Sequence, residues 1–313
     1  MDDDPHRYPF ITLQVVDLVL LSSAVVISLA GVYFAFRDLP PHATAAAEIK
    51  VRPRTTALST SILLVLSLVP LALIPHEVQN PSEPNPRLQA IKYISVVTGV
   101  FNSMVAFLVL SFLVRLVDFV HRPTADTSSS SDSPPNASDR LIKGLGVAVA
   151  LAIVNAVVMV FGLLGDGPSG IRHPTAAEVV VLVLSLIIKL IYLVITIVIL
   201  VRTRKRTSRG PLLAVAIVAP LRYIYGFLSP FIILGASELF GTPALFKLVT
   251  ALGMVGVILT EFTEAIIVLV LIKVLAYHLA DSDSEEEHQD PARRPLLSSA
   301  SEQPAGTFNA PSE

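Results

Sequence analysis

Three ionisable residues fall near the middle of two strongly apolar stretches in the last third of the chain. Arg222 lies in the run that begins at Pro211, and Glu261 and Glu264 lie in the run that ends at His278. The two glutamates are three residues apart, which places them on one face of a regular helix. A charge at the centre of a bilayer costs roughly 3 kcal/mol on insertion scales, so charges at similar depth in neighbouring helices are expected to pair. We therefore predict a buried polar cluster in which Arg222 binds one or both carboxylates.

Three further residues are candidate members of this cluster. Lys189 lies at the midpoint of another apolar run, Tyr225 follows Arg222 by three residues, and Asp17 lies inside the first apolar run. The predicted interior then holds two cations and three acids, so one acid is left over and would be protonated or near the surface. An interfacial position for Asp17 remains the alternative. Two polar residues inside the third run are expected only to bond neighbouring helices, namely Asn102 and Ser103.

Motifs for soluble catalysis and for cofactor binding are absent from the sequence. There is no P-loop, no glycine-rich dinucleotide turn and no His-Glu-x-x-His motif, and the seven histidines are not clustered at metal-binding spacing. The chain has no cysteine, which excludes disulfides, thiolate metal sites, cysteine nucleophiles and palmitoylation. Asp17 lacks the paired aspartate that an intramembrane protease needs. Lys189 could suggest a retinal Schiff base, but the other signatures of opsins are missing. We predict no enzyme activity, no cofactor and no metal.

The composition is that of a multi-pass membrane protein. Hydrophobic residues make up 53% of the chain and charged residues 15%, with a mean hydropathy of +0.68. Soluble domains contain about 45–50% apolar and about 25% charged residues. The apolar residues also fall in blocks of about 20, the length that crosses a bilayer. The lipid bilayer is therefore the predicted partner, and a net charge of −2 argues against nucleic acid.

We predict an all-α fold, a bundle of seven transmembrane helices. The predicted helices cover residues 10–36, 57–74, 90–120, 145–164, 178–201, 211–235 and 245–278. Residues 1–9 form a short N-terminus. A Ser/Pro-rich loop (residues 121–140) and an acidic, then Ser/Pro-rich tail (residues 279–313) are predicted to be disordered. Pro220 and Pro230 predict a kink or an unwound turn in the sixth helix.

Basic residues between the helices predict the orientation. The first, third and fifth loops and the tail carry fourteen lysines and arginines, against three in the N-terminus and the other loops. The positive-inside rule then places the N-terminus outside the cell and the tail in the cytosol, with the plasma membrane as the favoured compartment. The glycosylation sequon at Asn136 would face the cytosol and stay unmodified. The tail and the basic segment of residues 202–209, which runs from Arg202 to Arg209, are candidate sites for cytosolic partners.

The last three predicted helices share a pattern with a known family. A basic loop precedes the sequence Pro211-Leu-Leu-Ala-Val, which is followed by Pro220, Arg222, Tyr223 and Tyr225; the final helix carries Met254 and then a central acid, Glu261 or Glu264. This run resembles uncharacterised fungal seven-helix integral membrane proteins, which are grouped as a domain of unknown function. The resemblance implies a multi-pass topology in a fungal membrane, and it implies no activity.

The sequence favours a receptor-like or sensor-like membrane protein that signals through its basic loops and tail. One alternative is a transporter of a small solute or proton that uses Arg222, Glu261 and Lys189 near a broken sixth helix. Another is a scaffold, in which the charged cluster only locks helices together. A cavity that reaches Arg222 would favour ligand binding or transport, whereas a dry and fully paired arginine would favour the scaffold.

Overall fold

The structure of the protein is a computed structural model that describes residues 7–39, 52–73, 86–120, 137–165, 176–206, 210–239 and 242–289. These residues form helices and no strand, which confirms the all-α prediction for them. The helices are α1 (Arg7–Arg37), α2 (Pro53–Leu73), α3 (Pro86–Val120), α4 (Ala137–Gly165), α5 (Ala176–Arg206), α6 (Pro211–Leu239), α7 (Thr242–Val257), a π-helical turn (Ile258–Phe262) and α8 (Thr263–Gln289). Because α7, the π turn and α8 follow without a break, they form one continuous helix.

The helices have the length and surface of membrane spans. Six are long and apolar enough to cross a membrane, in the segments Val15–Arg37, Tyr93–Val120, Ser138–Phe161, Ala176–Lys205, Pro211–Ala236 and Ala251–Asp281. Helix α2 carries a shorter apolar stretch, Pro53–Val69. Large apolar side chains point outward from the bundle, with Val26 66% and Phe161 70% exposed. Since such a surface is unfavourable in water and favourable in lipid, these helices indicate a multi-pass membrane protein.

Two segments that were predicted to be disordered are partly helical. Helix α4 begins at Ala137, inside the predicted loop of residues 121–140, and α8 continues to Gln289, past the predicted start of the tail at residue 279. The acid Asp139 in the first turn of α4 suits the partial positive charge of a helix start. The glutamate-rich sequence after residue 284 has a high helix propensity. Both segments have the average composition of a disordered region, so the sequence did not predict that their ends are helical. Residues 1–6, 121–136 and 290–313 lie outside the described residues.

The irregular helix is the last one and not the sixth. Helix α6 is continuous from Pro211 to Leu239 although Pro220 and Pro230 lie inside it, so the unwound turn predicted for it is not found. A proline removes one backbone donor, and the turns on either side can keep the helix intact. In the π turn, by contrast, the backbone N–H of Thr263 bonds to the carbonyl of Ile258, five residues earlier. Such turns hold one extra residue and are frequent at functional sites.

The described residues up to Ala276 form one compact unit, and those from Tyr277 to Gln289 belong to a second unit. In the first unit each helix packs against the next along the chain, while α7 and the π turn contact both α6 and α1. Ser28 on α1 and Ser61 on α2 are hydrogen-bonded at 2.7 Å in the interior. Gly31 faces Val268 and Ile272 on α8. Small residues and hydroxyl pairs of this kind let membrane helices approach closely.

Polar contacts fasten the helix ends where α1 finishes and α2 starts. Lys273 on α8 binds Asp38 at 2.8 Å, and Arg54 on α2 donates to the backbone carbonyls of Ala35 and Leu39 at 3.2 and 2.6 Å. A second set joins the ends of α3 and α5 to the start of α4 through Arg115, Asp118, Ser138, Asp139 and Arg202. These contacts fix the register of the helices whose central parts carry the charged cluster.

Candidate functional site

Arg222 is buried between three helices and is paired on two sides. Its Nη1 lies 2.6 Å from Oε2 of Glu264 on α8, and its Nη2 donates to Oδ1 of Asn102 on α3 at 2.6 Å. The side chains of Arg222 and Glu264 are only 9% and 1% exposed. Charges buried this deeply persist because each neutralises the other. The predicted contact between Arg222 and a central acid is therefore made by Glu264, and Asn102 is its second partner.

Glu261 does not share this contact. It lies half-buried in the π turn, and its carboxylate accepts a hydrogen bond from the hydroxyl of the neighbouring Thr260. Among the described residues no ion pair joins Glu261 to Arg222. The spacing of three residues places two side chains together only in a regular α-helix. Glu261 belongs to the π turn and Glu264 to α8, so the α-helical spacing does not hold between them.

Tyr225 anchors α6 to α7 just before the π turn. Its hydroxyl donates to the backbone carbonyl of Leu252, and its ring lies against Gly256. A Cβ at Gly256 would come within 3.2 Å of that ring, so glycine permits the close approach. Tyr225 thus belongs to the same helix contact as Arg222, one turn further along α6, but it binds backbone and no charged group.

The π turn brings these two contacts onto one face of the last helix. Gly256 and Glu264 both face α6, although they are eight residues apart. In an uninterrupted α-helix, eight residues rotate about 80° beyond two full turns. The extra residue of the π turn removes roughly 100° of this rotation. The last helix can therefore meet α6 through both Gly256 and Glu264.

A cavity of about 280 Å³ lies beside Arg222. Its wall comes from α3, α4, α5, α6 and the π turn, and the polar residues that line it are Ser95, Asn102, Ser103, Asn155, Ser185, Lys189, Tyr192, Arg222, Tyr223 and Thr260. Within the described part of the chain, this wall includes two cations and no carboxylate. The cavity therefore has a net positive wall, even after Glu264 behind it neutralises Arg222.

Lys189 is the charged group of the wall that has no partner. Its methylene stem packs on Gly226, where an added Cβ would lie 3.7 Å from the stem. No ion pair or hydrogen bond to its ammonium is formed by any residue that the structure describes. An ammonium in a half-buried position without a counter-ion creates a positive potential around it. The cavity is therefore suited to an anion, which would supply the missing partner.

Aromatic rings and an amide complete the wall. The rings of Tyr192 on α5 and Tyr223 on α6 stack 5.2 Å apart, and the Tyr192 hydroxyl donates to the backbone carbonyl of Ser103 at 2.9 Å. On α4, Oδ1 of Asn155 is buried and has no hydrogen-bond partner among the described residues. Sequence reasoning missed the role of Tyr192 and Asn155. Both lie near the middle of their helices, at a depth close to that of Lys189. This shared depth could have predicted that they lie near Lys189.

Asp17 stays outside this site. It is half-buried on α1, and its Oδ1 has no hydrogen-bond partner among the described residues. It does not line the cavity, and Glu261 and Tyr225 do not line it either. Of the six predicted cluster residues, the structure thus brings Arg222 and Glu264 into contact and adds Lys189 to the wall beside them. The other three, which are Asp17, Tyr225 and Glu261, make no contact with Arg222 and do not line the cavity.

The fold and the cavity define a class, the multi-pass helical membrane proteins with a polar cavity inside the bundle. No family model, no curated protein and no solved structure matches this chain. The resemblance to the fungal seven-helix family therefore stays a prediction.

Proposed function

We propose that the protein is a receptor-like membrane protein that binds a small polar ligand in the cavity beside Arg222. The observation that carries this proposal is Lys189, whose ammonium faces a polar cavity without a counter-ion. A scaffold needs a closed and fully paired interior. The pair of Arg222 and Glu264 fits that description, but Lys189 and Oδ1 of Asn155 do not. The ion pair of Arg222 and Glu264 thus holds α6 and α8 together beside the cavity. Lys189 is the group that recognises the ligand.

The proposal includes α2 as a seventh span. Its 21 residues extend about 30 Å at 1.5 Å per residue, which matches the hydrocarbon thickness of a bilayer. One face packs inside the bundle through Leu63 and Leu64, while Leu58 and Ile62 are exposed on the other. A helix that is apolar on all sides is typical of a membrane span.

The orientation in this proposal has the N-terminus outside and the tail in the cytosol. The excess of lysine and arginine in alternate loops supports it. Arg54 at the start of α2 and Arg202 near the end of α5 lie on the side that this orientation directs to the cytosol, and Lys273 binds Asp38 on that side, just after the end of α1. Ligand binding would then be relayed to the basic segment of residues 202–209 and to the tail. A sugar on Asn136 would contradict this topology.

Transport of the ligand is the second candidate, and the π turn favours it. Thr260 lines the cavity and belongs to this turn, so the cavity touches the most irregular backbone of the bundle. Transporters often place such irregular helix segments at their binding sites. Uptake of the bound ligand into sealed vesicles would distinguish transport from a receptor that only binds it.

The cavity should be open to small hydrophilic reagents. Since the chain has no cysteine, single cysteines can report accessibility without background. We expect Ser185→Cys, on the cavity wall, to react with a small water-soluble thiol reagent when the full chain is held in lipid nanodiscs. Mass spectrometry of the intact protein measures the extent of labelling.

The matched control for this labelling is Ser28→Cys. Ser28 is fully buried between α1 and α2 and is bonded to Ser61, so this cysteine should stay unlabelled. Equal and slow labelling of both variants would mean that the cavity is closed to water-soluble compounds. The proposal of a ligand site would then be wrong, and the scaffold would be the better description.

A further inference from the structure

An apolar groove adjoins the polar cavity. The groove has a volume of about 480 Å³ and lies between α3 and α4, where it is lined by Val97, Phe101, Ile153, Val157, Val160 and Phe161. Three side chains belong to both the groove and the cavity, namely Val96, Val100 and Ala156. The two spaces therefore lie side by side, with these three side chains as their common border.

The groove lies on the outer surface of the bundle. Val97, Val157 and Phe161 are all exposed, and together they present an apolar face to the surrounding lipid. The polar wall with Lys189 begins where this face ends, at the shared side chains. A molecule that fits both parts needs an apolar chain for the groove and a polar head for the cavity.

The charge of the wall selects the head group. Lys189 has no counter-ion among the described residues, and no carboxylate lines the cavity there. A neutral head would leave the ammonium unpaired, and a cationic head would be repelled. A carboxylate would accept a charge-assisted hydrogen bond from the ammonium, the stronger kind of hydrogen bond. The hydroxyls of Ser185 and Thr260 line the same space.

We propose that the ligand is a long-chain fatty acid, with its carboxylate at Lys189 and its acyl chain in the groove between α3 and α4. This inference rests on the proposed function, because it names the ligand class of the same cavity. The common border of the groove and the cavity supports the acyl chain, and the unpaired Lys189 supports the carboxylate.

The test is direct binding of radiolabelled palmitate to the full chain in nanodiscs. Unlabelled palmitate should displace the label, whereas hexadecanol, which has the same chain and a neutral head, should compete at least tenfold more weakly. Acetate, which has the head alone, should also compete at least tenfold more weakly. Equal competition by hexadecanol would overturn the role of the charge, and equal competition by acetate would overturn the role of the groove.

Variants of Lys189 test the residue itself. Lys189→Met should weaken palmitate binding at least tenfold, while Lys189→Arg, which keeps the charge, should stay within about threefold of the original chain. The matched control is Lys143→Met, at an exposed position on α4 away from the cavity, and it should bind normally. Unchanged elution on size exclusion shows that each variant is folded. Normal binding by folded Lys189→Met would overturn the inference.

The two proposals fail in different ways. If Ser185→Cys is labelled and acetate or inorganic phosphate protects it while palmitate does not, the fatty acid is the wrong ligand and the cavity remains a ligand site. If Ser185→Cys is not labelled and palmitate does not bind, the proposed function fails together with this inference.

Discussion

Replacement of Arg222 by methionine should destabilise the folded protein by roughly 3–5 kcal/mol, because it leaves Glu264 buried without its counter-ion. Glu264 is 1% exposed, and its Oε1 has no hydrogen-bond partner among the described residues, so no described group could take over the role of the guanidinium. Asn102 would lose its charged donor as well. The expected result is a large drop in the thermal unfolding midpoint of the detergent-solubilised protein, or failure to obtain monodisperse protein.

Two further variants show whether burial of the pair causes this loss. Arg115→Met removes an ion pair of a different kind, in which Arg115 lies 3.7 Å from Asp139 and the side chains are 27% and 54% exposed. Arg115→Met should lower the free energy of unfolding by at most about 1 kcal/mol. The double variant Arg222→Met with Glu264→Leu should recover most of the stability, since no unpaired buried charge remains. A single Arg222→Met variant as stable as the original chain would show that Glu264 does not depend on Arg222 for the neutralisation of its charge.

Insertion of one alanine after Ile258 should destabilise the protein by roughly 3 kcal/mol or more. The insertion rotates α8 by about 100° relative to α7. The last helix could then keep either the Tyr225 contact at Gly256 or the Arg222 contact at Glu264, but not both. Loss of the second contact would again leave a buried charge unpaired. Thermal unfolding is the measurement, in the same detergent as for the Arg222 variants.

Deletion of Ile258 is the matched control for this insertion. It removes the additional residue of the π turn, so Gly256 and Glu264 become seven residues apart in sequence, which is close to two full α-helical turns. Both contacts on α6 are then compatible with a regular helix, and the exposed Ile258 side chain contributes little to the interior. We expect the deletion to lower the free energy of unfolding much less than the insertion does. Equal losses from both changes would contradict the role assigned to the π turn.

The contact between Arg222 and an acid could be predicted because depth in a bilayer follows from counting residues. Each residue of a helix adds about 1.5 Å, and a charge in lipid is costly enough to demand a partner. The choice between Glu261 and Glu264 could not be predicted. Both acids have nearly the same depth, and the π turn that separates them arises from how α7 and α8 meet α6. Nothing in the local periodicity of the sequence marks it.

The cavity could not be predicted for a related reason. Lys189 was identified at mid-span, but its surroundings depend on how α5 is rotated about its own axis. Ser185, Lys189 and Tyr192 lie at i, i+4 and i+7 and form a polar face on α5, but the sequence does not show which neighbouring helix this face meets. The packing of Tyr192 on Tyr223 and of the Lys189 stem on Gly226 turns this face toward α6. These are contacts between distant parts of the chain, so they become visible only in the folded protein.

The boundaries of the helices could not be predicted accurately from composition. The sequence predicted a fourth helix from residue 145, whereas α4 begins at Ala137, because Ser138 and Asp139 make contacts with Asp118 and Arg115 on α3. These contacts stabilise a polar first turn that hydropathy alone assigns to the loop. Conversely, Pro220 and Pro230 predicted a kink or an unwound turn in α6, and the helix has no unwound turn.

In the proposed function, Lys189 gives the interior cavity its net positive charge. The most direct test compares the rates at which anionic and cationic thiol reagents of similar size label Ser185→Cys, each divided by the rate of the same reagent with free N-acetylcysteine. We expect faster labelling by the anionic reagent, and a ratio close to one when Lys189→Met is added. Equal rates with Lys189 present, or faster labelling by the cationic reagent, would show that the cavity is not positive.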